Sequence, residues 1–182
     1  MQSRLLWNGK HMQERIERLA LQVLEFHAQY PNPVLVGVQP RGTFLARRIQ
    51  QSLEYCAPEL SLDFGLLDIT FHRDDFRRRN KPAAAASTQL SVSLENRRVI
   101  LIDDVLFTGR TIRSALDALQ SFGRPSSVQL MVLVDRRLTR ELPIQADFVG
   151  FQAESQPHQR ILVEWKEFHG QDQILVANND TP

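Results

Sequence analysis

The chain has 182 residues, 42% of them hydrophobic and 24% charged, which fits one domain able to bury its own core and excludes wholesale disorder, a fibrous repeat or a multidomain machine. A net charge of +1 argues against a strongly basic nucleic-acid packer and leaves room only for a local patch. Of 22 basic residues only Lys10, Lys81 and Lys166 are lysines; the arginine excess suits phosphate and carboxylate recognition, and codon bias yields the same skew. A lone Cys56 excludes an internal disulfide, a cysteine-based zinc site and a CxxC redox pair, as suits a reducing compartment. No segment has the apolar length of a secretory signal or the roughly 18 residues of a membrane span, so the chain reads as soluble and cytoplasmic.

Met12, Ile16, Leu19, Ala20, Val23 and Leu24 recur at steps of three and four, which predicts an amphipathic first helix ended by Pro31 and Pro33. Val34 to Val38 is a short β-branched run expected as a buried strand, followed by a Gln39-Pro-Arg-Gly42 turn and a helix bearing Phe44, Leu45, Ile49 and Leu53. Leu62 to His72 reads as another strand. The pattern then lapses through Arg73, Asp74, Asp75, the basic run Arg77 to Lys81, Pro82 and four alanines that could form a helical turn, until order returns near Arg98. So long a patternless stretch inside a compact domain is typical of an active-site lid or a disordered segment.

Val99 to Ile102 is a second fully apolar strand, capped by Asp103 and Asp104, and Ile112, Ala115, Leu116, Leu119 and Phe122 mark a helix closed by Gly123 and Pro125. Val128 to Val134 is a further buried strand. Alternating strands and helices predict an α/β fold with a mostly parallel, twisted sheet flanked by helices. Asp147 to Phe151, Arg160 to Lys166 and Gln173 to Val176 are expected as short strands, with a hairpin turn at His169 to Asp172.

In such a sheet, ligands sit beyond the carboxyl ends of the strands, after Val38 and Ile102. After Ile102 two acids precede a Thr108-Gly-Arg-Thr111 turn that opens a helix. Unpaired amides at a helix start cradle a phosphate, Gly109 allows close approach, and the threonine hydroxyls add donors. Acids beside an anion cup are compatible if the ligand is a sugar phosphate, with carboxylates on vicinal hydroxyls and the cup on the 5-phosphate. An isolated pair of acids or an isolated TGRT reads first as a turn cap and a helix start; their order behind a buried strand is the specific signal.

The run Val99 to Thr111 resembles the phosphoribosyl-diphosphate motif of the type I phosphoribosyltransferases. Val36 to Arg48, Leu67 to Asp75, Val132 to Arg136, Arg140 to Ile144 and Ala146 to Gly150 are similar to the PyrR family, pyrimidine operon attenuators that also act as uracil phosphoribosyltransferases. The likeness spans roughly Met12 to Val176 in family order. It implies a type I phosphoribosyltransferase fold over 1–182 with a lid at about 73–97 and a small hood from about 135–182 plus part of the N-terminus. It also implies Mg2+-assisted transfer of ribose 5-phosphate from phosphoribosyl diphosphate to uracil, giving UMP, in a homo-oligomer of two or more chains.

On that resemblance Asp103 and Asp104 hold the ribose hydroxyls, directly or through metal-bound water, and favour the cationic transition state; Val105, Leu106, Phe107, Thr108, Gly109, Arg110 and Thr111 form the phosphate loop. Arg41 and Gly42 match the pyrophosphate loop, with Pro40 in place of the usual threonine, and Arg73 is the expected lid contact. Val134, Asp135 and Arg136 border the base, held mainly by backbone groups. Asp135 reads equally as a structural acid at the strand tip. Relatives that use purines carry an acid four residues after the first carboxylate; Phe107 stands there, which favours a pyrimidine. The RNA-binding surface of the family is only partly kept: Arg18 and Arg140 persist as candidate RNA contacts, but Glu17-Arg-Leu-Ala-Leu21, Arg137-Leu-Thr139 and Phe151 depart from it. An RNA-binding regulator with little catalysis and a purine-base transferase are the alternatives. The five histidines have no metal-site spacing, and Trp7 and Trp165 read as packing anchors.

Overall fold

The computed structural model describes residues 3–73, 87–138, 140–156 and 158–178. A five-stranded sheet runs in the order β3-β2-β4-β5-β6, built from Val34–Val38 (β2), Phe64–Leu67 (β3), Arg98–Leu106 (β4), Ser127–Arg137 (β5) and Phe148–Glu154 (β6). Every neighbouring pair in it is parallel. A second, three-stranded sheet joins Ser3–Asn8 (β1), Gln173–Asn178 (β8) and Gln159–Glu164 (β7), antiparallel, with β8 in the middle. The helices are Gly9–Gln29 (α1), Gly42–Cys56 (α2), Arg110–Leu119 (α3) and the short Lys166–His169 (α4).

The apolar strands are apolar throughout because both faces are covered. Leu35, Ile100, Ile102, Met131 and Leu133 pack under Met12, Ile16, Leu19 and Val23 of α1 and Leu45, Ile49 and Leu53 of α2. Their neighbours Val34, Val36, Val38, Val99, Leu101, Leu130 and Val132 face Ile112, Ala115 and Leu119 of α3, the period-two alternation of a strand buried twice. The first core also takes in Ile161, Val163, Trp165, Ile174 and Val176, so the small sheet is cemented to the large one by a shared apolar layer.

Several expected boundaries move. Strand β1 went unread because its burial shows no alternation; Asn8 ends it and caps α1 by accepting from the His11 amide at 3.1 Å. Leu62 to His72 is not one strand: after Leu67 the Asp68 carboxylate accepts from the Thr70 amide and hydroxyl, at 3.0 and 2.6 Å, and a 3-10 turn over Thr70–His72 replaces the ladder. Lys166 opens α4 instead of ending a strand, so the link to β8 is a helical turn closed by Gly170 at φ 78°. Residues 74–86, with Arg77 to Lys81 and the four alanines, lie outside the described residues. The far part of the expected lid is fastened: Leu66 and Gln89 exchange backbone hydrogen bonds at 2.8 and 2.9 Å, and Leu94 is fully buried.

Candidate active site

The chain order of the strands reverses between β2 and β4, so the crevice beyond their carboxyl ends is where a ligand fits. The two tips nearly touch: a Cβ on Gly42 would stand 2.5 Å from the Ile102 carbonyl oxygen and 3.0 Å from the Asp103 Cα. Glycine is required there by contact with backbone. The preceding Gln39-Pro40 peptide is cis.

The acids do not follow the strand, as their sequence suggests, but lie within it, because pairing with β5 continues through Asp103↔Val132 to Leu106↔Asp135. Both are buried. The Asp103 Oδ1 accepts from the Asp104 amide at 2.9 Å, while Asp104 Oδ2 is buried with no hydrogen-bond partner among the described residues. Burial, with the charge of Asp104 beside it, pushes the Asp103 carboxyl well above the ordinary carboxylate value. Burial also raises Asp104, although the positive charge of Arg41 opposes the shift.

Two hollows meet at this tip. The larger, about 680 Å³, is bounded by Arg41, Asp103, Asp104, Phe107, Arg136 and β7 residues Arg160 to Leu162; the smaller, about 270 Å³, is bounded by residues 105–112. Arg73, Val105, Phe107 and Thr111 line both, so they form one continuous site. In the smaller hollow Gly109 adopts φ 95°, a left-handed conformation, immediately before α3 begins. Leu106, Thr108 and Arg110 of the expected anion cup lie on the wall of this hollow.

On the other side, Arg136 is buried, its guanidinium 4.0 Å from the centroid of the Phe107 ring and donating from Nη2 to the Gln156 carbonyl at 3.0 Å. Its Nε has no partner among the described residues, and burial lowers its pKa from the usual arginine value. Asp135 accepts from Arg140 Nη2, and Arg140 Nη1 donates to the Phe107 carbonyl. Arg140, a candidate RNA contact by sequence, is thus turned inward onto the site. Arg18 lies exposed on α1, away from it. Val134 does not reach the hollow either: its side chain is fully buried in the core beneath α1 and α2. Sequence reasoning missed Val38, Gln39, Arg160, Ile161 and Leu162 on the wall of the larger hollow. Only topology brings β7 to the tip of β4. Asp103 and Asp104 supply two hard oxygen-donor groups, and no cluster of three or more His, Cys, Asp or Glu exists among the described residues. That set suits a divalent cation sharing its shell with substrate oxygens and water.

A family model, the phosphoribosyl transferase domain, matches residues 6–170. Proteins named "Bifunctional protein PyrR" match nearly end to end: that of Elusimicrobium minutum is 40% identical over 97% of this chain and 99% of its own. The protein from Streptococcus equi subsp. zooepidemicus is 43% identical over 98% and 99%. Among solved structures, a hypoxanthine phosphoribosyltransferase of Trypanosoma cruzi superposes with a TM-score of 0.68 at 18% identity, covering 96% of each chain. One from Staphylococcus aureus gives 0.69 at 19%, covering 97% of this chain and 93% of its own. At such identities the structures speak for the fold alone, whereas the family model and the relatives near 40% identity, joined to the acid pair and the cup, place this chain in the PyrR family of type I phosphoribosyltransferases.

Proposed function

We propose that the chain transfers ribose 5-phosphate from phosphoribosyl diphosphate to uracil, releasing diphosphate and UMP. The observation that carries this reading is one continuous hollow holding two neighbouring buried carboxylates at the end of β4 and a helix-start anion cup four to seven residues later. Thr108 to Thr111 hold the 5-phosphate through backbone amides and hydroxyls. Asp103 and Asp104 accept from the ribose hydroxyls, and their field favours the positive charge that grows on the anomeric carbon as its bond to diphosphate breaks. Arg41 and the exposed peptide at Gly42 meet the leaving group, and Arg73, where the two hollows join, shields it from water. A Mg2+ ion held by the carboxylates, directly or through water, supplies charge neutralisation for the diphosphate.

The incoming base lies between Phe107 and the tip of β5, against Arg136. Phe107 offers a ring face and no proton acceptor, which suits a pyrimidine whose acidic ring NH needs no protein base. Incubation with phosphoribosyl diphosphate, Mg2+ and each radiolabelled base in turn tests this. UMP from uracil is the expected product; turnover of hypoxanthine or guanine in its place overturns the reading. The relatives' name, "Bifunctional", favours a second activity, that of a uridine-nucleotide-sensing RNA-binding regulator. With Arg140 engaged inside the fold and the changes around Glu17 and Phe151, we expect weak, sequence-blind RNA binding that disappears at physiological salt, which filter binding against salt concentration measures. The reading includes a homo-oligomer of two or more chains, tested by sizing in solution, and a cytoplasmic location. No described helix is long and apolar enough to cross a membrane.

A further inference from the structure

We propose that the segment 140–144 positions the 5-phosphate cup, with Arg140 as the bridge that fixes the cup to the tip of β5. The proposal rests on the phosphoribosyltransferase reading above and assigns a role to residues that have no direct part in it.

An anion cup binds well only if its amides already converge before the ligand arrives. The segment 107–109 has few internal restraints among the described residues. It lies between the end of β4 and the start of α3, and its glycine sits in a left-handed conformation open to many alternatives. Besides the Arg113 amide on the Gly109 carbonyl, the Arg110 amide on the Thr108 hydroxyl and Arg136 over Phe107, its restraints come from 140–144. The Thr108 carbonyl accepts from the amides of both Glu141 and Leu142 at 3.1 Å. A carbonyl oxygen held by two donors is not presented to a phosphate, which it would repel. Leu142 and Ile144 close over Gly109, where a Cβ would meet each at 3.3 Å. The Glu141 carboxylate accepts from Arg110 Nε at 2.7 Å, but both side chains are half exposed, so that pair contributes little.

Arg140 is different. Its side chain is 24% exposed and that of Asp135 11%, so the pair is largely withdrawn from water. One guanidinium nitrogen donates to the carbonyl of Phe107, at the entrance of the loop, and the other to the Asp135 carboxylate at the tip of β5. A rigid planar fork can serve both acceptors at once, whereas a lysine ammonium on a flexible stem is a single point. The bridge ties the ends of two adjacent strands beside the hollow, because Asp135 pairs in register with Leu106 and precedes Arg136, whose guanidinium lies over the ring of Phe107. Arg140 contacts no substrate in this arrangement; it acts through the cup.

The test is calorimetry of the full chain with ribose 5-phosphate, which fills the cup, and separately with Mg2+-diphosphate, which uses the Arg41–Gly42 loop. For Arg140→Gln and Arg140→Lys alike, the ribose 5-phosphate Kd should rise about tenfold or more, while that for Mg2+-diphosphate stays within about twofold of wild type. Unchanged ribose 5-phosphate affinity, an equal loss for both ligands, or full recovery with lysine each overturns the positioning role. Should the glutamine variant fail to fold, the lysine variant decides by the same criteria. A wild-type chain that does not bind ribose 5-phosphate overturns the underlying reading as well, a result distinct from those three.

Discussion

Asparagine at position 103 should make the protein more stable and a far poorer enzyme. The side chain is 5% exposed, and its carboxyl is raised by burial and by the neighbouring Asp104 charge, so the folded state bears a cost whenever this group is ionised. Asparagine keeps the Oδ1 acceptor that the Asp104 amide uses at 2.9 Å and removes the charge. Relieving a buried, like-charged acid at a functional site stabilises by about 1 kcal/mol, which moves the melting temperature of a chain this size by about 3 °C. The pH dependence fixes the cause. A carboxyl whose folded pKa lies above its unfolded value destabilises the fold above the folded pKa, and that cost fades as the pH falls toward the unfolded value. Thermal unfolding of Asp103→Asn and wild type in chelator should therefore differ most at pH 7 to 8 and converge near pH 4. The rate with saturating phosphoribosyl diphosphate should drop about a hundredfold, the loss of one preorganised group of about 3 kcal/mol. A melting gain that is absent at pH 7.5, or equally large at pH 4, refutes the argument.

Asp104→Asn should keep the fold and also lose about 3 kcal/mol of transition-state stabilisation, read as kcat under the same assay, since Asp104 lines the hollow and its buried Oδ2 has no hydrogen-bond partner among the described residues. Gly42→Ala should cost about 2 kcal/mol of stability in urea unfolding and most of the activity, because the β4 backbone at Ile102 and Asp103 blocks the added methyl. Arg48→Ala should destabilise by about 2 kcal/mol: its guanidinium bridges Asp172 at 2.8 Å and Glu167 at 3.0 Å and lies 4.8 Å from the Trp165 ring, tying α2 to the α4 turn. Burial acts to raise the Asp172 carboxyl, but the Arg48 hydrogen bond and the Lys166 amide outweigh it and leave it below its ordinary value. The Arg48 contribution should be complete at pH 7 and decline as the pH falls through the lowered pKa of Asp172, which urea titrations at successively lower pH follow.

The central sheet was legible because its strands are buried on both faces, which leaves uninterrupted apolar runs at Val34 to Val38, Val99 to Ile102 and Val128 to Val134. Element ends were not. Hydrophobicity stops at Ile102, yet the β4 ladder goes on through two acids, since β5 presents Val132 to Asp135 for them to pair with. Pairing partners are a tertiary fact. Strand β1 is invisible for the same reason: it is held at the edge of β8, and nothing within Ser3–Asn8 alternates. In the site, the local motif was readable because residues 103–111 are contiguous, whereas Arg160 to Leu162 sit in a run that looks only like a strand. The inward partners of Arg140 were not legible because a guanidinium on a loop carries no sequence mark of the direction it takes.

The arginine surplus that composition left undecided acquires a meaning in the larger hollow. Two buried acids alone would repel a phosphate-bearing ligand, and a cup a few residues away would not compensate. Arg41, Arg73, Arg136 and Arg160 line the same space, from the β2 tip, the end of the described lid, β5 and β7, so four cations surround two anions. The site is therefore net positive toward an incoming polyanion, and in the proposed reaction the carboxylates act at short range, on the ribose hydroxyls and the anomeric carbon. The same surplus explains how the acids are tolerated at all: the charge of Arg41 offsets part of the burial cost on both. Neutralising Arg41 should drive the Asp103–Asp104 pair further toward its protonated form and, on the proposed function, weaken diphosphate binding through the same side chain. A site assembled from five separate stretches of chain can balance its charges this way while the sequence, read locally, shows only acids next to an anion cup.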